Sequence, residues 1–395
     1  MKIKTHRSIY NLSVIIYLLA ISSTYASQYG PSLIFHKPYK TIPYASDFLI
    51  NVNAGRATQG YNRHSKLVPF LQEYGSEDLL ARFLDPAIDP KNIDKIGTMN
   101  FSGMLKYERM VLYYSKNIHQ HLFFGIGTSI QNLNIGSINP NIILTKTLTE
   151  DEEKKLELFK SKIPSSLNTS GIFSTFLEAG YNNKFEDFES LHFLQIFLKG
   201  SIDTPQWMHQ NNVSVLQYPL TGNLSFGYGG TAILAIGISK YINFGVYAMA
   251  LGFQPTNKFA PVNTTESKNQ IILTETTRIK IFPKPVYSTV FYIEAHSFLP
   301  HVMATIGYGS STGMPWKVKS YDETNFPTAA INDSELLQGW SISALFFQLD
   351  YSFAHHNNPD APAISLSYVL PLAGRFFPKV YTLAGACAMS FTASF

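Results

Sequence analysis

Apolar residues recur at every second position through most of the chain beyond Asp47, in runs of about ten residues separated by polar or turn-rich stretches. A period of two rather than 3.6 marks β-strands whose two faces meet different surroundings. The clearest run sets Leu224, Phe226, Tyr228, Gly230, Ala232, Leu234, Ile236 and Ile238 against Asn223, Ser225, Gly227, Gly229, Thr231, Ile233, Ala235, Gly237 and Ser239. The last run is as regular, with Tyr381, Leu383, Cys387, Met389, Phe391 and Phe395 alternating with small or hydroxylated residues. Similar alternation predicts strands at Phe48–Ala54, Met99–Tyr107, Leu122–Ile130, Phe173–Tyr181, Leu194–Leu198, Tyr247–Phe253, Tyr287–Ala295, Val302–Tyr308, Leu345–Phe353 and Ile364–Leu370. The sum is twelve, within a range of ten to fourteen. A thirteenth candidate, Ile271–Ile281, carries Thr274, Glu275, Thr276, Thr277, Arg278 and Lys280 and is assigned to a loop hairpin.

Short turns near Lys116, Glu186, Lys240, Pro300 and Asn357 alternate with longer segments at 63–97, 133–170, 200–221, 254–285 and 312–338, with 374–378 a short exception. Short turns on one edge and long loops on the other are the asymmetry of a transmembrane barrel. Two loops carry helix signals. Thr149 and Glu152 form a capping-box pattern with acids at 150–153 ahead of Lys154, Lys155, Lys160 and Lys162, which predicts a helix near 149–162. Ser76-Glu77-Asp78 ahead of Leu79–Leu84 predicts another near 76–84, placed either in the barrel mouth or outside it.

The amino terminus has the three parts of an export signal: Lys2, Lys4 and Arg7, then an apolar stretch from Leu12 to Ile21, then small residues at Thr24-Tyr25-Ala26. The apolar stretch falls short of the ~20 residues that span a bilayer as a helix. The expectation is cleavage of residues 1–26, a periplasmic segment at 27–46, and a barrel over 47–395.

Composition narrows the alternatives. Charged residues make up only 15% of the 395, which argues against disorder and against a coiled coil. Without the three leader cations, Lys and Arg nearly equal the 27 acids, and no basic stripe offers a nucleic-acid surface. The single Cys387 rules out an intrachain disulfide. A soluble β-sandwich would show the same period, but its polar face would carry Lys, Glu and Arg; here that face is Gly, Ala, Ser and Asn, which suits a crowded barrel interior. Tyr and Phe near strand ends, such as Tyr228, Tyr287 and Tyr381, fit interfacial girdles.

These features resemble the β-barrel proteins of the bacterial outer membrane. In that class the final strand alternates apolar residues and ends in Phe, and Met389, Phe391 and Phe395 stand where the resemblance puts the signal read by the barrel-assembly machinery; Ala393 is a weaker apolar residue than the pattern has there. The resemblance implies an all-β fold, a single antiparallel transmembrane barrel in the outer membrane, with outer-membrane lipid, the assembly machinery and small solutes as partners.

Enzymatic and metal signals are weak. His119-Gln120-His121 has the spacing of two ligands on one strand face but no third ligand nearby in sequence, and His355-His356 has less. Gly227-Tyr228-Gly229-Gly230 lacks the partners of a phosphate loop. No nucleophile elbow or zinc-protease motif occurs, so neither catalytic residues nor cofactors are assigned. With greasy faces toward lipid, Asn51, Asn53, Lys106, Glu108, Glu178, Lys199, Glu294, His296 and Asp350 are expected to line the interior, where charges pair or form a polar path. The expected function is a passive, porin-like channel for small solutes; the alternatives are a plugged structural or surface-interaction barrel and a barrel hydrolase.

Overall fold

The computed structural model describes residues 45–77, 97–119, 121–186, 191–204, 207–210, 226–262, 275–299, 301–353 and 362–392. Twelve strands form the ring: β1 (Ala45–Ala57), β2 (Gly97–Asn117), β3 (Leu122–Leu144), β4 (Leu167–Phe185), β5 (Phe193–Thr204), β6 (Gly227–Gly237), β7 (Ile242–Phe253), β8 (Val286–Leu299), β9 (Val302–Gly313), β10 (Trp340–Ser352), β11 (Ala363–Arg375) and β12 (Tyr381–Thr392). Each pairs antiparallel with its neighbours in sequence, and β12 returns to β1 through Ala45↔Thr392 to Arg56↔Tyr381. Closure removes every sheet edge, the condition for satisfying backbone groups inside hydrocarbon. The candidate thirteenth strand lies outside the ring: Glu275–Phe282 pairs with Thr256–Val262 and Lys317–Ser320 in a separate three-stranded sheet. Residues 1–44, which include the expected leader at 1–26 and most of the expected periplasmic segment, lie outside the described residues.

Through the membrane-spanning part the apolar face looks outward. Ile50, Val52, Leu234, Phe291, Leu349, Leu366 and Leu383 are exposed, while their alternates Asn51, Asn53, Thr231, Tyr292, Asp350, Ser365 and Thr382 are buried inside. Seven inward aromatics stand directly opposite a glycine on the adjacent strand: Tyr107 on Gly55, Phe123 on Gly180, Phe176 on Gly127, Phe193 on Gly237, Tyr292 on Gly245, Phe346 on Gly307 and Trp340 on Gly313. Each ring fills the space a Cβ would take, so it lies along the wall instead of projecting toward the axis.

Strands β2, β3 and β4 run for 21, 23 and 19 residues, about twice the 9–11 that cross a bilayer. Their far ends rise beyond the membrane on the long-loop side, where the sequence reading placed a loop at 133–170. There the greasy side changes: Met99, Phe101, Leu105, Leu133 and Ile135 are buried inward, while Lys106, Glu108, Asn132 and Asn134 stand on the outward side. Lys106 and Glu108 belong to this upper part. In register with Arg56 and Ala54 of β1, they point outward and are exposed, not into the interior as expected. The expectation took the apolar positions of 99–107 as lipid-facing, whereas water above the bilayer turns them into a core.

Helix α1 (Glu150–Lys160) caps the loop between β3 and β4. The Thr149 hydroxyl accepts from the Glu152 N–H, and the Thr149 N–H donates to Glu152 Oε2 at 2.8 Å. That backbone donor, helped by Lys146, holds the Glu152 carboxyl below the ordinary carboxylate range. Leu156 and Phe159 face the core.

Candidate functional site: the barrel interior and its plug

The segment after β1 turns back into the mouth of the barrel. Gln59–Tyr61 pairs with Leu67–Pro69 and with Phe377–Pro378 from the β11–β12 connection. The chain that follows buries Phe70 and Leu71 completely against a cluster containing Met99, Phe101, Leu105, Phe173 and Phe376. Tyr74 stacks on Phe376 with ring centroids 5.6 Å apart, and Glu77 bridges to Met99. Leu71 and Phe376 both adopt left-handed backbone conformations, with φ of 79° and 48°. Such conformations in bulky residues cost on the order of 1–3 kcal/mol each and persist where packing imposes them. The plug therefore comes from residues 58–77, and the remainder of the helix expected at 76–84 lies outside the described residues.

Below the plug the interior is polar. Asn51 and Asn53 of β1 point inward and are 5% and 0% exposed, with Asn53 directly opposite Arg109 of β2. The Arg109 guanidinium lies 5.1 Å from the centre of the Phe173 ring. Both polar atoms of the Asn53 amide, and the Asn51 carbonyl oxygen, are buried without a hydrogen-bond partner. Glu178 of β4 and Lys199 of β5 meet in an ion pair of 2.5 Å. Asp203 also lies on the inward face of β5, two alternations beyond Lys199. Arg109 and Asp203 are absent from the residues expected inside: Arg109 because β2 has the opposite phase, Asp203 because β5 continues to Thr204, into the segment expected as a loop at 200–221.

A continuous apolar band follows, lining the wall through Phe123, Phe197, Ile233, Val290, Tyr292 and Phe346. Phe123 and Phe197 stack across Gly180, with centroids 5.2 Å apart.

The short-turn rim is acidic. Asp47, Glu294 and Asp350 are all inward and at most 9% exposed. Asp350 accepts hydrogen bonds from Gln348 at 2.8 Å and from the Ser365 hydroxyl. His296 pairs with Asn243 and stands 3.8 Å from Glu294. Of the residues expected inside, Asn51, Asn53, Glu178, Lys199, Glu294, His296 and Asp350 face the interior, and Lys106 and Glu108 do not. Met389 projects outward from β12, Phe391 lies opposite Ser46, and Phe395 is outside the described residues. The His119 and His121 rings stand edge to face at 6.4 Å, and the described residues hold no group of three or more His, Cys, Asp and Glu placed for a metal.

No known family profile and no curated protein matches the chain. Among solved structures it is similar to an outer membrane channel from Pseudomonas putida F1, with a TM-score of 0.51 at 9% identity over 90% of this chain and 100% of that one. A mutant form of the TodX monoaromatic hydrocarbon channel aligns with a TM-score of 0.41 at 9% identity, covering 89% and 91% of the two chains. The NanC porin aligns at 0.33 and 11%, covering 87% and 100%. At 9% identity the likeness to the Pseudomonas putida channel is one of fold, that of an outer-membrane β-barrel.

Proposed function

We propose that the protein is a passive channel of the bacterial outer membrane, not an enzyme, which admits small polar solutes or ions along a narrow interior restricted by the 58–77 plug. The observation that carries this reading is the polar stretch of wall below the plug. Asn51, Asn53, Arg109, Glu178, Lys199 and Asp203 are more polarity than a filler core needs, and an unpaired buried amide such as that of Asn53 costs about 1–3 kcal/mol unless something satisfies it. A hydrated solute moving along the wall can do so. The Glu178–Lys199 pair keeps this zone near neutral, and the acidic rim of Asp47, Glu294 and Asp350 favours cations over anions at the short-turn end.

Complete burial of Phe70 and Leu71 favours a second reading, a permanently plugged barrel whose long loops make the functional contacts. Single-channel conductance of the refolded protein in a planar bilayer separates the two. Discrete, reproducible steps support a channel. Silence from protein whose unboiled form still migrates as a compact barrel moves the reading to the plugged alternative.

A further inference from the structure

Lys106, on the outward face of β2, belongs to a cluster of cations on the outer wall. Arg56, near the end of β1, points outward and is the direct cross-strand partner of Lys106. On its other side it is the direct partner of Tyr381. Lys379, at the end of the β11–β12 connection, places its Nζ 5.6 Å from the centre of the Tyr381 ring. Three cations, from the end of β1, the middle of β2 and the β11–β12 connection, thus gather around one exposed tyrosine.

Like charges directly opposite each other on a sheet destabilise it. No described acid relieves this arrangement: none of the described ion pairs includes Arg56, Lys106 or Lys379. Glu108, the nearest acid in register, faces Asn132, whose amide donates to it at 3.5 Å. The height of the cluster is equally specific. Below Arg56 on the same face, past Ala54, come Val52 and Ile50, 50% and 37% exposed, and below Tyr381 comes Leu383 at 54%. This is the lipid-facing band, and Tyr381 stands at its upper edge, where aromatic rings mark the headgroup level.

We propose that Arg56, Lys106 and Lys379 bind the phosphate of an outer-leaflet lipid headgroup. Guanidinium forks bind phosphate oxygens bidentately, and a neighbouring ammonium adds a point charge. A phosphate at this height neutralises the unfavourable Arg56–Lys106 contact while its acyl chains lie along Ile50, Val52 and Leu383. The inference rests on the placement of the barrel in the outer membrane, with the long loops on the outer side.

The test uses the refolded protein in neutral detergent with lipid A as probe, beside dephosphorylated lipid A and inorganic phosphate. Two quantities are read: the temperature at which the compact unboiled band converts to the denatured mobility, and lipid retention by native mass spectrometry. Lipid A is expected to raise the conversion temperature by several degrees, with no shift from the dephosphorylated lipid or inorganic phosphate. The triple variant R56Q/K106Q/K379Q is expected to retain at least ten-fold less lipid A, while K116Q, at the opposite edge of the band, retains as much as the unaltered protein. Equal effects of the two lipids, or an equal shift from inorganic phosphate, overturn the proposal. Should the triple variant fail to fold, the comparison of the two lipids on the unaltered protein decides alone. A protein with no compact band in any condition refutes the barrel reading itself, and the lipid site with it.

Discussion

The ring of Phe346 on β10 occupies the space in which Gly307, its direct partner on β9, would carry a side chain. The aromatic and the glycine form one unit: the ring buries itself on bare backbone, and the absent side chain prevents a clash. Phe346→Ala should lower stability by about 3–5 kcal/mol, the usual range for emptying a buried aromatic site. Gly307→Val should also destabilise, by displacing the ring, and the double variant should lose less than the sum of the two. Heat conversion of the unboiled band, or urea unfolding followed by tryptophan fluorescence, reads all three; strict additivity would contradict the joint.

Breaking the Glu178–Lys199 pair should change which ions pass. Glu178→Gln leaves Lys199 as an uncompensated cation in the interior and should move the reversal potential in a salt gradient toward anions. Lys199→Gln should move it toward cations. Lys106→Gln and Glu108→Gln, on the outer wall, should leave it unchanged, so a shift from the outer pair equal to that from the inner one would return Lys106 and Glu108 to the lumen.

Replacing residues 62–76 by a short Gly-Ser link removes Phe70 and Leu71 from the mouth. The expected outcome is a larger unit conductance, or more frequent opening, with the compact unboiled band retained because the ring of twelve strands does not depend on those residues. Unaltered conductance would mean that the plug does not limit the path.

Lys258, on the extramembrane strand Thr256–Val262, shares its face with Ile279, and burial lowers its pKa to about 8. The folded protein therefore binds the Lys258 proton less tightly than the unfolded chain, whose lysine titrates near 10.4. The penalty is fully present below pH 8 and fades as the pH rises from 8 through about 10.4. Lys258→Met should slow amide exchange in Thr256–Val262 at pH 7, and the advantage over the unaltered protein should shrink above pH 8. An advantage that grows with pH would reverse the sign.

Removal of Phe395 should reduce the amount of folded protein reaching the outer membrane of living cells without altering refolding in detergent, if the end of β12 is read by an assembly machinery. Quantifying the compact band in isolated outer membranes checks it; undiminished levels would contradict that role.

The ring was legible in the sequence because lipid imposes one rule on every strand: Leu383 and Met389 outward, Thr382 and Ala388 inward, and the same for β6 and β10. Where the strands leave the bilayer, the rule stops. Nothing in the local pattern of Met99–Tyr107 says that its apolar side faces inward, because the answer depends on the plug packed against it, and so Lys106 and Glu108 were placed on the wrong side. The plug itself was hidden for a related reason. Val68, Phe70 and Leu71 form a short apolar stretch with no period, and their burial comes from partners such as Phe376, some three hundred residues away in the chain. Arg109 is missed for want of the same phase, whereas Asp203 shares the phase of Lys199 and is missed because β5 runs on to Thr204, past the expected strand end at Leu198. Glu178 and Lys199 were singled out individually, but their pairing depends on the register between β4 and β5, which no single-strand pattern contains.

The change of greasy side along β2, β3 and β4 has a thermodynamic consequence. The lower part of each strand presents its apolar side chains to hydrocarbon, which is as apolar as they are, so packing there draws on dispersion and hydrogen bonding. The upper part buries Met99, Phe101 and Ile135 away from water, so it draws on a force that weakens on cooling and carries a large heat capacity. A single strand thus obeys two different temperature laws, and chilling should loosen the mouth of the barrel while leaving its membrane girdle firm.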